Sequence, residues 1–230
     1  MSFVYKPPTE WIPPDSFPTE KLCQAKEIAI DLETRDPNLK ELGPGYIRGD
    51  GEVVGISFAI DGYEDYFPFA HEQGFNFSKK KVIEFTKKIC ATESDKIFHN
   101  STYDIGWLVK EGVTINGRII DTMVVAPLID ENQYWYSLNA LGREYINEGK
   151  TEAELNAAAE EWGLDPKAEM WRLPSAYVGT YATQDAALTL KLWNHFKILL
   201  EEQNLWNVFD LEMRVLPVIL AMKQKGVRVD

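Results

Sequence analysis

Glu27-Ile28-Ala29-Ile30-Asp31-Leu32-Glu33 is the stretch on which the fold turns. Ile28, Ile30 and Leu32 alternate with Ala29, Asp31 and Glu33, which is the period-two pattern of a β-strand. One face of that strand is a continuous apolar row, and the other carries both acids. A strand this apolar belongs inside a sheet, where two acids on one face need a compensating cation. Like charges about 4 Å apart repel by about 1 kcal/mol in water and by about 4 kcal/mol at an effective dielectric near 20.

Outward from this strand, Glu52–Ile60 reads as a second strand, Asp61-Gly62 as a hairpin turn and Tyr66–Phe69 as a third strand. The three form an antiparallel meander. Ser78 caps a helix to about Cys90, and Lys96–His99 is a short strand running into a helix over Ser101–Lys110. Arg118–Ile120 is a further strand, followed by a helix over Met123–Ile129 and another capped by Ser137. Thr151-Glu-Ala-Glu154 has the form of a capping box opening a helix to Trp162. The segment 148–172 reads as an insertion or lid. A long helix begins near Tyr177, with Tyr181, Asp185, Leu188, Leu192, Phe196 and Leu199 at spacings of three and four on one face. A last helix spans Asn207–Lys225, with Pro217 predicting a kink and Gly226 a stop, and Val227-Arg-Val-Asp230 reads as the start of a strand. Residues 1–25, with Pro7, Pro8, Pro13, Pro14 and Pro18, predict an extended arm.

Composition narrows the function classes. At 45% hydrophobic and 26% charged, the chain should form a compact, soluble core. It has no apolar run of membrane-spanning length and no N-terminal signal core, which predicts an intracellular, cytoplasmic protein without a membrane partner. Cys23 and Cys90 are too few and too far apart for a disulfide framework or a CxxC zinc site. Lys and Arg number 24 against 36 Asp and Glu, a net charge of −12. That balance argues against tight binding to nucleic acid through side chains alone. Bound divalent cations would meet phosphate in their place.

Three short acidic motifs stand in order: Asp31-Leu-Glu33, Asn100-Ser-Thr-Tyr103-Asp104 and Tyr181-Ala-Thr-Gln-Asp185. Each alone has an ordinary reading, as a solvated strand end, a charge at a helix N-terminus, or a phenol–carboxylate pair on a helix. Together they offer four carboxylates and one phenol at the ends of elements that can converge. Hard oxygen donors without a His or Cys cluster select Mg²⁺ or Mn²⁺ over zinc. Two such ions and a positioned water are equipment for cutting a phosphodiester bond. Tyr134, Trp135 and Tyr136, in an apparent loop, are the best candidates for stacking on bases.

With these motifs the chain resembles the tyrosine subclass of the DEDD 3′–5′ exonucleases, and more closely the proofreading domain of family A, phage-type DNA polymerases. Asp121-Thr-Met and Tyr136-Ser-Leu-Asn-Ala-Leu are similar to linking segments of that family. Leu216-Pro-Val-Ile-Leu-Ala-Met-Lys and Gly226-Val-Arg-Val-Asp230 resemble the beginning of its polymerase domain. The resemblance implies a ribonuclease H-like α/β fold, with a mixed central β-sheet flanked by helices. It divides the chain into a Pro-rich arm (1–25), an exonuclease domain (26–205) and a helix (206–230) leading into a polymerase domain that this chain lacks. It implies removal of 5′-mononucleotides from single-stranded or mispaired DNA 3′ ends, in host cytoplasm if phage-encoded. Asp31, Glu33 and Asp185 would hold one metal ion, and Asp31 with Asp104 the second. Tyr181 would orient the attacking water with Glu33 as its hydrogen-bond partner. Thr34, Asn100 and Tyr103 would lie near the substrate. The family often places a wedge leucine where this chain has Pro37, and Leu39 is the available substitute. The alternatives are a ribonuclease D-like RNA exonuclease and a non-catalytic scaffold domain. The scaffold class loses carboxylates that are present here.

Overall fold

β1 (Glu27–Arg35) is the central strand of a five-stranded sheet, as its apolar alternation predicts. The computed structural model describes residues 9–228. β2 (Glu52–Ile60) and β3 (Tyr63–Pro68) complete an antiparallel meander on one side of β1. β4 (Asp95–Phe98) and β5 (Ile119–Asp121) lie parallel to it on the other, giving the order β3-β2-β1-β4-β5. Gly62, at φ 70°, makes the β2–β3 turn, a backbone region that favours glycine.

Helices cover both faces. α4 (Lys79–Cys90) and α5 (Ser101–Lys110) enclose a core with Ile28, Ile30 and Leu32. The opposite face of β1 shows Ala29, Asp31 and Glu33. There α9 (Ser175–Glu202) crosses the sheet and packs Leu188, Leu192, Trp193 and Phe196 into a cluster with Ala29 and Ala59. Small residues at those two paired positions let the helix come close. α6 (Thr122–Ile129), α7 (Leu138–Ile146) and α10 (Trp206–Lys225) complete this layer. Glu27 ties α9 to the start of β1 by accepting from Trp193 Nε1 at 2.8 Å and pairing with Lys197 at 2.7 Å.

Several local expectations change. The arm is not extended throughout, because α1 (Thr19–Gln24) forms within it and buries Leu22; Pro7 and Pro8 lie outside the described residues. Short helices α2 (Leu39–Leu42) and α3 (Gly45–Arg48) occupy the β1–β2 connection. The capping box does not form. α8 starts at Ala153 with Glu152 at its N-cap and runs to Trp162, while Thr151 N donates instead to Gln184 Oε1 at 2.6 Å, a tertiary bond that outcompetes the local one. α8 packs on α9 through Leu155, Ala158 and Ala159. α10 continues through Pro217. Val227 and Arg228 form no strand, and Val229 and Asp230 lie outside the described residues.

Candidate metal centre

β1 ends at the centre. Asp31 and Glu33 point toward α9, and Asp185 reaches them from that helix. Single carboxylate oxygens of Asp31, Glu33 and Asp185 all lie within 4.8 Å of one another. Glu33 and Asp185 are buried, and Asp31 is partly open to solvent. A β-bulge falls immediately after this pair, where the register changes between Glu33 and Thr34. Such bulges re-aim side chains at the end of a ladder.

Asp104, buried in the first turn of α5, comes from the opposite face and stands outside the close triple. The backbone before it is clamped. Asn100 sits at φ 71°, and Asp121 at the end of β5 accepts from Asn100 N at 3.0 Å, Ser101 N at 2.6 Å and Met123 N at 2.9 Å. One carboxylate thus fixes the strand-to-helix turn that carries Asp104. His99 donates from Nε2 to Tyr136 O at 2.9 Å, its Nδ1 lies 2.8 Å from Thr122 Oγ1, and burial holds it down to about 4. Its role is packing of that turn.

Burial and mutual repulsion act together on the acids. Burial, then the charge of Asp185, pushes Asp31 up to about 8. Burial, then Asp31, raises Glu33 well above the carboxylate range. Asp104 is raised in the same way by burial and then Asp31. Asp185 Oδ1 is buried with no hydrogen-bond partner. Three clustered carboxylates, one with an orphaned oxygen and with the charge of Asp104 nearby, form an all-oxygen donor set that fits a hard divalent cation.

Sequence reasoning missed the cation already present. Lys150, between α7 and α8, places Nζ 2.5 Å from Asp185 Oδ2 and 3.1 Å from the Tyr181 hydroxyl. Tyr181 therefore accepts from a partner the resemblance does not supply. Glu33, which the resemblance pairs with it, acts on Tyr181 through charge. Burial alone would lower Lys150, but Asp185, Asp31 and Glu33 outweigh it and raise it. No periodicity or motif marks a lysine in a loop 31 residues before Tyr181.

The residues expected near substrate gather on one side. Thr34 Oγ1 lies 2.8 Å from the Tyr103 hydroxyl, which donates to Asp36 Oδ2 at 3.2 Å. With Asn100, Leu39, Tyr46 and Lys223 they line an open groove of about 400 Å³. Leu39 is on its rim and exposed. Tyr134 and Trp135 are also exposed, with ring centroids 6.3 Å apart.

A mixed sheet of this order, with acids gathered where β1 meets α9, is a ribonuclease H-like fold. The 3′–5′ exonuclease family model matches residues 18–201, and the chain belongs to that family, the exonuclease domain of DNA polymerases. It is 36% identical over 240 residues to a DNA-directed DNA polymerase of Pseudomonas phage M6, a match that takes in 100% of this chain and 36% of that protein. The chain thus spans about a third of the length of that relative. In fold it is similar to Brucella melitensis NrnC with bound Mg²⁺, at TM-score 0.63 and 18% identity, covering 91% of this chain and 90% of that one. It is likewise similar to Escherichia coli RNase D, an exoribonuclease, at TM-score 0.61 and 15% identity, covering 91% of this chain and 48% of that one.

Proposed function

We propose that this chain removes 5′-mononucleotides from single-stranded or mispaired 3′ ends of DNA, as the proofreading part of a phage-type DNA polymerase in host cytoplasm. The observation that carries this is the triple of Asp31, Glu33 and Asp185 within 4.8 Å in a chain of the exonuclease family. Asp31, Glu33 and Asp185 would hold one divalent ion, Mg²⁺ or Mn²⁺, and Asp31 with Asp104 a second. Bound ions of this kind supply a water of lowered pKa and neutralise charge on the departing 3′ oxygen.

The chain's own residues do the rest. Tyr181, its hydroxyl held beside Asp185, orients the attacking water. Thr34, Asn100 and Tyr103 receive the last nucleotides in the groove, and Leu39 stands where a wedge would separate the terminal base. A frayed end reaches this site at lower cost than a paired one, because unpairing is already done. Lys223 Nζ, 2.8 Å from Thr102 Oγ1, brings one cation of α10 to the groove of an otherwise acidic protein. Among the described residues no helix is long and apolar enough to cross a membrane.

The likeness to RNase D is one of fold, whereas the sequence relative is a DNA polymerase, which favours DNA. Incubation with 5′-labelled single-stranded DNA and, separately, RNA, each with Mg²⁺, Mn²⁺ or chelator, tests the reading. Stepwise shortening of DNA from its 3′ end, abolished by chelator, is expected. Faster shortening of RNA would favour the ribonuclease reading, and activity in excess chelator would overturn both.

A further inference from the structure

We propose that Lys150 is an internal counter-ion of the acidic centre which a divalent cation must displace from Asp185, so that metal uptake is a cation exchange within the protein. The inference rests on the metal-centre reading above and deepens it.

Three observations support it. First, the ammonium is in the centre and not merely near it. Nζ contacts Asp185 Oδ2 at 2.5 Å and the Tyr181 hydroxyl at 3.1 Å, and lies 4.9 Å from the Tyr181 ring centroid. The side chains of Lys150 and Asp185 are only 15% and 6% exposed. Second, the ammonium and a divalent ion would draw on the same Asp31, Glu33 and Asp185 carboxylates, and the two cations repel each other. Competition for Asp185 Oδ2 is therefore favoured over coexistence. Third, the backbone around Lys150 is built to present it. Lys150 N donates to Asn139 Oδ1 at 2.9 Å. Gln184, next to Asp185 in sequence, donates to Gly149 O at 3.1 Å and accepts from Thr151 N at 2.6 Å. Glu148 pairs with Lys191 on α9 at 2.7 Å. With its backbone tethered, Lys150 leaves Asp185 by rotation of its flexible four-carbon stem alone.

The test is calorimetric titration of the chelator-stripped 230-residue chain with Mn²⁺, as wild type, Lys150→Met and Lys150→Arg, with melting curves of each in chelator and in saturating Mn²⁺. Lys150→Met should bind Mn²⁺ about tenfold more tightly than wild type, because nothing needs displacing. In chelator it should melt below wild type, and saturating Mn²⁺ should close the gap. Lys150→Arg keeps a cation and should track wild type in both readouts. Equal or weaker Mn²⁺ binding by Lys150→Met overturns the inference, since the ammonium would then sit alongside the metal. Should Lys150→Met be unfolded in chelator, folding on addition of Mn²⁺ supports the inference, and failure to fold at saturation overturns it. Absence of Mn²⁺ uptake by wild type overturns the metal-centre reading and this inference with it, and wild type alone reveals that case.

Discussion

Lys96 and the Asp31–Glu33–Asp185 centre are both buried charge sites at the sheet, and they are finished to different degrees. The Lys96 ammonium has three N–H bonds and finds three backbone carbonyls, Thr92 O at 2.6 Å, Ser94 O at 2.7 Å and Asn116 O at 3.0 Å. Its partners all belong to turns flanking β4 and β5, so it closes that end of the sheet. The acidic centre gathers Asp31, Glu33 and Asp185 beside the Lys150 ammonium, with Asp104 near enough to feel their charge, and leaves Asp185 Oδ1 without a partner. A satisfied buried charge is architecture. A surplus of like charge held in place by strands and helices points to a ligand that is absent from the count.

The contrast can be broken most severely at the acids. Asp31→Ala with Glu33→Ala removes two of the three clustered carboxylates. Exonuclease activity should fall by at least about 10³-fold, beyond the loss of a single transition-state contact. Melting in chelator should hold or rise, because repulsion is relieved. A large loss of stability in chelator would mean that these acids serve the fold, as Lys96 does.

Tyr181→Phe sharpens the comparison inside the centre. It keeps the buried ring and removes the hydroxyl that accepts from Lys150. kcat should drop by about 10²-fold while Mn²⁺ affinity stays near wild type. Affinity falling as far as in Asp185→Ala would make Tyr181 structural.

A pH series on metal-free protein separates the two sites next. Burial and Asp185 raise Asp31 from 3.8 in the unfolded chain to about 8, and Glu33 and Asp104 move the same way. The folded centre thus holds protons that the unfolded chain releases. Its stability contribution is full below about pH 4 and is lost as pH rises through about 8. Tm in chelator should fall over that window by about 3–5 °C per pH unit for each proton held. Saturating Mn²⁺ should abolish the fall. A flat profile in chelator would contradict the crowding of charge at this site.

The smallest effect belongs to the finished site. Lys96→Met removes the buried ammonium that binds three part-buried carbonyls and should cost about 1–3 kcal/mol in urea denaturation, with kcat unchanged. A change in kcat comparable to that of Tyr181→Phe would couple the two sites and undo the distinction.

How legible the site was depends on where each residue sits. Asp31 and Glu33 could be read because a strand's alternation assigns faces without tertiary information. Tyr181 and Asp185 could be read because helical spacing puts them on the stripe that enters the core. Lys150 could not, because it lies in irregular backbone whose course is set by Asn139 and Gln184, residues that carry no local signal. Asp121 stood in a recognisable segment, but its three-way clamp on the turn before Asp104 exists only once β4 and β5 are paired. The capping box at Thr151 failed for the same reason, a local preference yielding to a bond across the fold. α1, α2 and α3 are four to six residues long, too short for periodicity to register.

Anomalous diffraction from a crystal soaked in Mn²⁺ tests the central claim most directly. A strong peak bounded by Asp31, Glu33 and Asp185 is expected, with Lys150 Nζ withdrawn from Asp185 Oδ2. A centre without anomalous signal at saturating Mn²⁺, with the Lys150–Asp185 pair intact, would contradict it.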